Sequence, residues 1–330
     1  MNRDSRSHVP LVPAQGGRVD ADQVEVAVQS WISDPSFEAL VAEFGGHSGD
    51  GMSVRERVAE LEAFSEVWDF RGGRERNLAE RPILTKDQEN RIRAVAQTLG
   101  MRHESVPTER RYDHCLILGG LLRACVLRPA WAAKLVARGV SFGEVTALGG
   151  YRPLGGDEPA LAHQAGLFGV ADELEAMDAG LRKAFSLTEE PFVEGDVGGD
   201  VLPNSRWAIR RYSTEACPLN VIAAPSRESG TRRANTADTY AWWAENIARL
   251  DVGHRVLLIT HSIYVPFQHA DAIRMLAIPY GCGVETVGLP PSFTGSMEPQ
   301  VFSATNYLQE MRSTIRAFGA LLDAVKVTDA

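Results

Sequence analysis

The amino-acid sequence predicts an α/β fold: a doubly wound, mostly parallel, Rossmann-like sheet with an N-terminal helical region and a C-terminal helix. Two observations lead to this prediction. Short apolar runs without polar alternation recur after residue 113, as expected of strands that are covered on both faces. Helical patterns separate these runs, and right-handed crossovers then build a parallel sheet. The 330 residues suffice for one large domain with an appendage.

The sequence divides into an arm at residues 1–18, a helical region at 19–110 and an α/β domain at 111–330. The arm is polar and contains proline and paired glycines, which favours a loosely ordered segment. In the helical region apolar residues recur at helical spacing, and no strand pattern is clear. Thr85 followed by Gln88 is typical of the capping box that begins a helix.

The elements of the α/β domain are predicted from the same patterns. Apolar runs predict strands at 114–118, 145–148, 219–224, 255–260 and 284–289. Helical periodicity predicts helices at about 121–138, 158–184, 236–250 and 304–325. Residues 207–212 fit either a strand or the edge of a helix, and the acidic, glycine-rich stretch 190–204 predicts a loop.

Composition narrows the class of partner. The net charge is −9, and general nucleic-acid binders usually carry a basic excess, so we expect no nucleic-acid partner. No window of eighteen apolar residues and no signal-peptide core occurs, so we expect a cytoplasmic protein without a membrane span. The four cysteines form no C-x-x-C pair, and we predict no metal site. The expected partner is a small molecule.

In a doubly wound sheet ligands bind beyond the carboxyl ends of the strands. Glycines there let a ligand approach the backbone, and arginines there bind phosphate or carboxylate. The residues predicted to bind the ligand are Gly119, Gly120 and Arg123; Gly149, Gly150 and Arg152; Arg227; Asn235 and Thr236; and Thr260, Tyr264 and Gln268. The alternative is that the glycines only make tight turns and the arginines face solvent. Neither G-x-G-x-x-G nor a P-loop motif is present.

The strand predicted at 255–260 leads directly into His261 and Ser262, two residue types that often take part in catalysis. His261 is a candidate general acid or base, because imidazole titrates near neutral pH. The alternative for His261 is a hydrogen-bonded residue that positions a loop. Ser262 is a candidate nucleophile of a serine hydrolase, although bulky Thr260 and Tyr264 replace the glycines of the nucleophile elbow.

A second stretch with candidate functional residues lies in the helical region. Aromatic residues alternate there with charged residues, and further arginines follow. Trp68, Arg71 and Arg74 are the candidate lid over a flat or anionic ligand. The alternative is a loop that ends a helix and is anchored by Trp68, with solvated arginines.

Four motifs succeed one another over residues 112–290, in an order that resembles the YdcF/SanA/ElyC-like family of domains of unknown function. They are LILGG at 116–120, ALGG at 147–150, ANTADTY at 234–240 and LLITHSIYVPFQHADAIR at 257–274. The chain departs from the family pattern at Leu148, His261 and Gln268, which stand where Ser, Ser and Arg are usual.

The resemblance implies a Rossmann-like fold with a pocket at the strand ends. It makes Glu158 the candidate acid, since Glu158 falls where the family has Ser-Glu-Ala, and it makes S-adenosylmethionine a candidate ligand. We expect a transferase or hydrolase that binds an anionic or nucleotide-like ligand, with Glu158 or His261 as acid or base. Alternatives are a non-catalytic sensor that uses the same pocket and the serine hydrolase.

Overall fold

The computed structural model describes residues 8–47, 49, 51–70, 83–196, 202–290 and 292–328. One seven-stranded sheet organises this part of the chain. Its strands are β1 (Arg111–Ile117), β2 (Ser141–Gly149), β3 (Phe192–Gly195), β4 (Ala208–Tyr212), β5 (Leu219–Ala223), β6 (Arg255–His261) and β7 (Gly283–Leu289).

Helices cover both faces of the sheet. They are α1 (Ala21–Ile32), α2 (Pro35–Glu43), α3 (Val54–Phe64), α4 (Lys86–Thr98), α5 (Leu122–Ala137), α6 (Glu158–Gln164), α7 (Glu173–Phe185), α8 (Thr236–Trp243), α9 (Val265–Ala272), α10 (Ile278–Tyr280) and α11 (Ala304–Thr328). Single π-helical turns come after α8 and α9. Among the described helices, none combines the length and the apolar composition needed to cross a bilayer.

The strand order β3-β4-β5-β2-β1-β6-β7 is that of a doubly wound sheet. From β1 the chain moves outward through β2 and β5, then returns to the other side of β1 for β6 and β7. These five strands are parallel, and β3 and β4 add an antiparallel edge. The predicted fold class is therefore confirmed, and the topological switch point lies between β1 and β6.

Successive residues of β1 enter different cores because side chains alternate across a strand. Cys115 and Ile117 pack with α5 and α7, whereas Leu116 belongs to the core on the opposite face. That second core also contains apolar residues of α8, α9, α11 and the N-terminal helices. Trp31 and Trp68 are buried there.

Three local predictions need correction or completion. The stretch predicted as a loop at 190–204 contains β3, a short edge strand that exposes most of Phe192 and Val193 and therefore shows no buried pattern. The helix predicted at 158–184 is two helices, α6 and α7. Gly166, directly after the C-cap of α6, adopts positive φ and ends that helix, and Gly169 in the connection to α7 also has positive φ. Within the stretch 207–212, which fits a strand or a helix edge by sequence, Ala208–Tyr212 forms the strand β4.

The N-terminal prediction of helices holds over the described residues. No strand precedes β1 within 8–47, 49, 51–70 and 83–110, where an isolated bridge joins Gln15 to Gly283. Thr85 and Gln88 form the capping box expected at the start of α4, since each side chain accepts a hydrogen bond from the other residue's backbone N–H.

Candidate functional site

A cavity of about 840 Å³ opens at the carboxyl ends of β1, β2 and β5. The first turn of α8 and part of α9 complete its wall. Its volume is within the range of small-molecule sites. We call it the carboxyl-end cavity. Of the predicted residues, it brings together Gly119, Gly120, Gly149, Gly150, Arg152, Asn235, Thr236 and Gln268.

The glycines at the ends of β1 and β2 allow close backbone packing. A Cβ on Gly119 would lie 2.5 Å from the carbonyl oxygen of Leu148, and a Cβ on Gly149 would lie 2.9 Å from Cα of Leu174. Both positions therefore exclude any side chain. The absence of a side chain at Gly119 and Gly149 permits the tight turns and also leaves backbone exposed to the cavity. The prediction that these glycines bind a ligand and the alternative that they only make tight turns are therefore compatible.

Arg152 links two carboxylates at the cavity wall. Its guanidinium donates to both oxygens of Glu158, with Nη1–Oε2 2.7 Å and Nη2–Oε1 2.9 Å. Its Nε donates to Oε2 of Glu173 over a longer 3.3 Å. Nη2 also donates to the carbonyl oxygen of Gly120 at 3.2 Å. Arg152 thus holds the ends of β1 and β2 to the starts of α6 and α7.

The two carboxylates differ in their surroundings. Glu158 also accepts hydrogen bonds from the backbone N–H groups of Leu122 and Gly155. Burial opposes ionisation of Glu158, but Arg152 and these two donors outweigh it and hold its pKa below the ordinary value. Burial raises the pKa of Glu173 to about 7, because Arg152 and the N–H of Gly120 compensate only in part.

The cavity wall is rich in guanidinium groups. Four arginines among the described residues line the cavity, Arg152, Arg206, Arg232 and Arg233, and Glu173 is the lining carboxylate. Behind the wall, Arg152 also pairs with Glu158, and Arg232 pairs with Asp238 and Glu228. The Arg206 guanidinium lies 4.3 Å from the ring centroid of Tyr151, also a lining residue. The guanidinium groups of this wall favour an anionic ligand, although the chain as a whole carries a net charge of −9.

Asn235 and Thr236 lie at the start of α8, on the rim of the cavity. The Asn235 side chain accepts a hydrogen bond from the N–H of Asp238, whose carboxylate accepts from the N–H of Asn235, so the two form a capping box. Arg232 donates to the same Asp238 carboxylate and to Glu228. The cap fixes the rim of the cavity and places Arg232 on it.

The end of β6 is closed. Thr260, His261 and Tyr264 are buried and do not line the cavity. His261 Nδ1 accepts a hydrogen bond from Nε of Arg128 at 3.1 Å, and the rings of Tyr264 and Phe302 pack against the imidazole. Burial and the charge of Arg128 hold the pKa of His261 well below its ordinary value. His261 is therefore neutral at neutral pH.

Gln268, one helical turn beyond Tyr264, does reach the cavity. Its side chain is 6% exposed, and its Oε1 has no hydrogen-bond partner among the described residues. Buried polar atoms are normally paired, so this oxygen is an unsatisfied acceptor next to the cavity.

Other predicted residues lie elsewhere. Arg123 is on the first turn of α5 and does not line the cavity. Arg227 is exposed and pairs with Glu245. Trp68, the first residue of the predicted lid, is fully buried between phenylalanine rings of the N-terminal core. Arg71 and Arg74 lie outside the described residues.

Sequence reasoning missed Glu173, Arg128 and Arg206, and it left Arg232 and Arg233 out of the predicted binding residues. Glu173 lies inside a stretch predicted as continuous helix, so nothing marked it as the start of α7 beside a strand end. Arg128 lies in the second turn of α5, too far in sequence from the glycine pair to attract notice. The sequence carries a signal for Arg232 and Arg233, because they lie between the third predicted strand and the Asn-Thr pair, from which only Ala234 separates them.

Comparison with known proteins identifies relatives of the chain. Residues 15–100 match the family described as the Rv3785 N-terminal domain. The chain is 32% identical over 324 residues to "Uncharacterized protein Rv3785" of Mycobacterium tuberculosis, a match that covers 91% of this chain and 89% of the relative. "Uncharacterized protein Mb3814" of Mycobacterium bovis matches to the same extent. No solved structure matches.

These matches overturn the resemblance to the YdcF/SanA/ElyC-like family, which is wrong. The resemblance depended on loose motifs at the strand ends, and glycine turns with a capped helix recur there for reasons of backbone packing. The expectation of S-adenosylmethionine depended on that resemblance alone and loses its support with it.

Proposed function

The chain belongs to the Rv3785 family, and we propose that it is an enzyme that binds an anionic, nucleotide-like small molecule in the carboxyl-end cavity. The observation that carries the proposal is the set of four arginines, Arg152, Arg206, Arg232 and Arg233, around a cavity of about 840 Å³. The proposed reaction is a group transfer or a hydrolysis. We place it in the cytoplasm, where four free cysteines are ordinary.

The chemistry of the wall supports an anion with several oxygens. Arginine binds phosphate and carboxylate through paired N–H donors. Glycine turns leave backbone close to the ligand, and the start of α8 adds the positive end of a helix dipole. Arg206 stacked on Tyr151 offers a flat, polarisable surface at which an aromatic group of the ligand can lie.

Acid or base chemistry needs a titratable group at the cavity. Glu158 is 3% exposed and has both oxygens occupied by Arg152 and backbone donors, which favours a positioning role. His261 reaches the cavity only through Arg128, whose Nη1 bonds the Leu118 and Gly119 carbonyl oxygens. Glu173 is the carboxylate that lines it.

The alternatives differ in what supports them. A non-catalytic sensor would bind its ligand in the same cavity. A turnover assay therefore distinguishes it from an enzyme, whereas a binding assay does not. The serine hydrolase has no such support: Ser262 is 5% exposed, and the neighbouring His261 accepts its hydrogen bond from Arg128.

The test is a binding experiment with ADP and inorganic pyrophosphate as probes and uncharged adenosine as the comparison. We expect saturable binding of the two anions with a raised melting temperature, since ligand at one hundred times Kd adds about 2.7 kcal/mol to the free energy of unfolding. Arg206→Ala should weaken anion binding about tenfold, because it removes one charge-assisted contact. The matched control is Arg227→Ala, an exposed arginine outside the cavity, which should bind as the wild type does.

Equal binding of adenosine and ADP, or equal affinity of the Arg206 and Arg227 variants, would contradict an anion site. Turnover of bound nucleotides and sugar phosphates is monitored by phosphorus NMR. Tight binding with no chemical change over hours would favour the sensor.

A further inference from the structure

We infer that Glu173 takes up a proton when the anion binds, and that its neutral carboxyl then donates a hydrogen bond to a ligand oxygen as the acid of the reaction. This inference rests on the proposed function, because it assigns a role to a residue of the same cavity. It goes further by making ligand binding and proton uptake a single event at one named carboxyl group.

The position of Glu173 is the first support. Its Oε1 accepts a hydrogen bond from the N–H of Gly120 at 2.7 Å, which fixes the carboxyl between the two glycine turns. Within the described part of the chain, its Oε2 has one hydrogen bond, the 3.3 Å contact from Nε of Arg152. The carboxyl lines the carboxyl-end cavity, so a ligand that occupies the cavity meets it.

The competition for Arg152 is the second support. Glu158 receives the two shorter bonds of the guanidinium, at 2.7 and 2.9 Å, and Glu173 only the weaker one through Nε. The remaining Arg152 donors bond the carbonyl oxygens of Pro153 and Gly120, so an anion that enters the cavity adds a third negative group near one cation whose N–H groups are already occupied. The repulsion should protonate Glu173, because its carboxylate receives less stabilisation from Arg152 than that of Glu158 does.

The charged and titratable groups nearest Glu173 come from the segment after β2, from α5 and from α6, where Glu158 shares Arg152 with it. Arg152, after β2, and Arg128, on α5, favour its carboxylate, and the buried thiol of Cys125 on α5 also faces it. Burial outweighs the two arginines and raises the pKa of Glu173 to about 7. An anion next to the carboxyl raises that pKa further, so the bound state retains the proton at a pH where the unliganded protein has lost it.

The proton then has a balanced use in group transfer. As the bond to the leaving oxygen breaks, that oxygen keeps the electron pair and takes the Glu173 proton. The water or acceptor hydroxyl that forms the new bond gives its proton to the Glu173 carboxylate, which restores the acid.

Sulfate is the probe, because it remains a dianion from pH 6 to 8 and any pH dependence belongs to the protein. We measure sulfate binding by titration calorimetry at pH 6 and pH 8, the latter in Tris and in HEPES. With a pKa of about 7 for Glu173, the Kd of the wild type should be about tenfold larger at pH 8 than at pH 6. The enthalpy at pH 8 should depend on the buffer, because the bound proton comes from it.

Glu173→Gln should lose both effects, because the amide keeps an oxygen for the Gly120 N–H and places a permanent donor in the cavity. Its Kd at pH 8 should match that of the wild type at pH 6. The matched control is Glu175→Gln, a glutamate of the same helix turn that bonds the N–H of Ala171 and does not line the cavity. It should keep the wild-type pH dependence.

The outcomes separate the two claims. Sulfate binding by the wild type with one Kd at both pH values and no buffer effect overturns the role of Glu173 and leaves the anion site standing. Failure of sulfate, ADP and pyrophosphate alike to bind overturns the anion site and the inference together. The wild-type measurements decide between these outcomes without the variants.

Discussion

The two sides of the switch point differ in the residues that come directly after each strand. Where β1, β2 and β5 end, glycines, small turns and arginines leave a cavity open. Where β6 ends, Thr260 and His261 fill the space with buried side chains. The rule that ligands bind beyond the carboxyl ends of parallel strands therefore identifies the correct side of the sheet. The volume of the side chains at each strand end decides where on that side a cavity is open.

Arg128 joins the two sides. It is 1% exposed, and its Nη1 donates to the carbonyl oxygen of Leu118 at 2.6 Å and to that of Gly119, at the end of β1. Its Nε donates to His261 at the end of β6. The turn after β1 thus owes its shape to a side chain that reaches back along its own helix, as helical side chains do.

The largest expected effect comes from Arg128→Met. Loss of the guanidinium leaves the Leu118 and Gly119 carbonyl oxygens and His261 without their buried donor, and the free energy of unfolding should fall by about 3–5 kcal/mol. Urea unfolding monitored by circular dichroism measures it. The matched control, Arg227→Met, removes an exposed pair with Glu245 and should change the value by less than about 0.5 kcal/mol. Similar values for the two variants would mean that Arg128 does not hold the two sides together.

The next effect concerns the open side and depends on pH. The pKa of Glu173 rises from 4.5 to about 7 on folding, so the native state binds more protons than the unfolded state between these values. The free energy of unfolding of the wild type should therefore fall as the pH rises from 4.5 through 7, relative to Glu173→Gln. The change is at most about 3 kcal/mol. Parallel urea profiles of the two proteins from pH 5 to 8 would contradict a buried, protonated Glu173.

A smaller effect tests the rim. Asn235→Ala removes the cap of α8 and should cost about 1 kcal/mol of unfolding free energy. Asn235→Asp keeps the cap but adds negative charge to the cavity, so it should retain the wild-type melting temperature and weaken pyrophosphate binding. If Asn235→Asp binds pyrophosphate normally, the start of α8 does not face the ligand.

The smallest effect tests the closed side. Thr260 Oγ1 is buried without a hydrogen-bond partner among the described residues. Thr260→Val replaces that hydroxyl with a methyl group and should leave the free energy of unfolding unchanged or raise it by up to about 1 kcal/mol. Sulfate binding, measured by calorimetry, should not change. Weaker binding would show that the ligand reaches the end of β6 and would remove the contrast between the two sides.

The sequence predicts the parallel strands well, because burial on both faces produces an uninterrupted apolar run. Capping boxes such as Thr85 with Gln88 are local and equally readable. The edge strand β3 is not predicted, because Phe192 and Val193 face solvent. A strand that pairs with a neighbour on just one side buries few side chains, so its sequence shows little of the apolar pattern that predicts a strand.

A residue of the site is predictable from the sequence only where it stands next to the end of a strand. Gly119, Gly149 and Arg152 come at or directly after their strands, and the cavity contains them. Arg123 is the arginine nearest the first glycine pair in sequence, yet the helical tilt of side chains makes Arg128, further along α5, the residue that reaches back. Glu173 comes to the cavity through a turn and a second helix, a separation that no spacing rule covers.

The placement of α11 has a consequence for how the protein reaches its final state during synthesis. Helices α1, α3 and α4 pack against α11, which begins only at Ala304, after all the strands of the described residues. The early helices leave the ribosome long before their apolar partner does. Their hydrophobic surfaces should remain open to proteases in any nascent chain halted before Ala304 and become protected once α11 emerges, a difference that pulse proteolysis of stalled chains would measure.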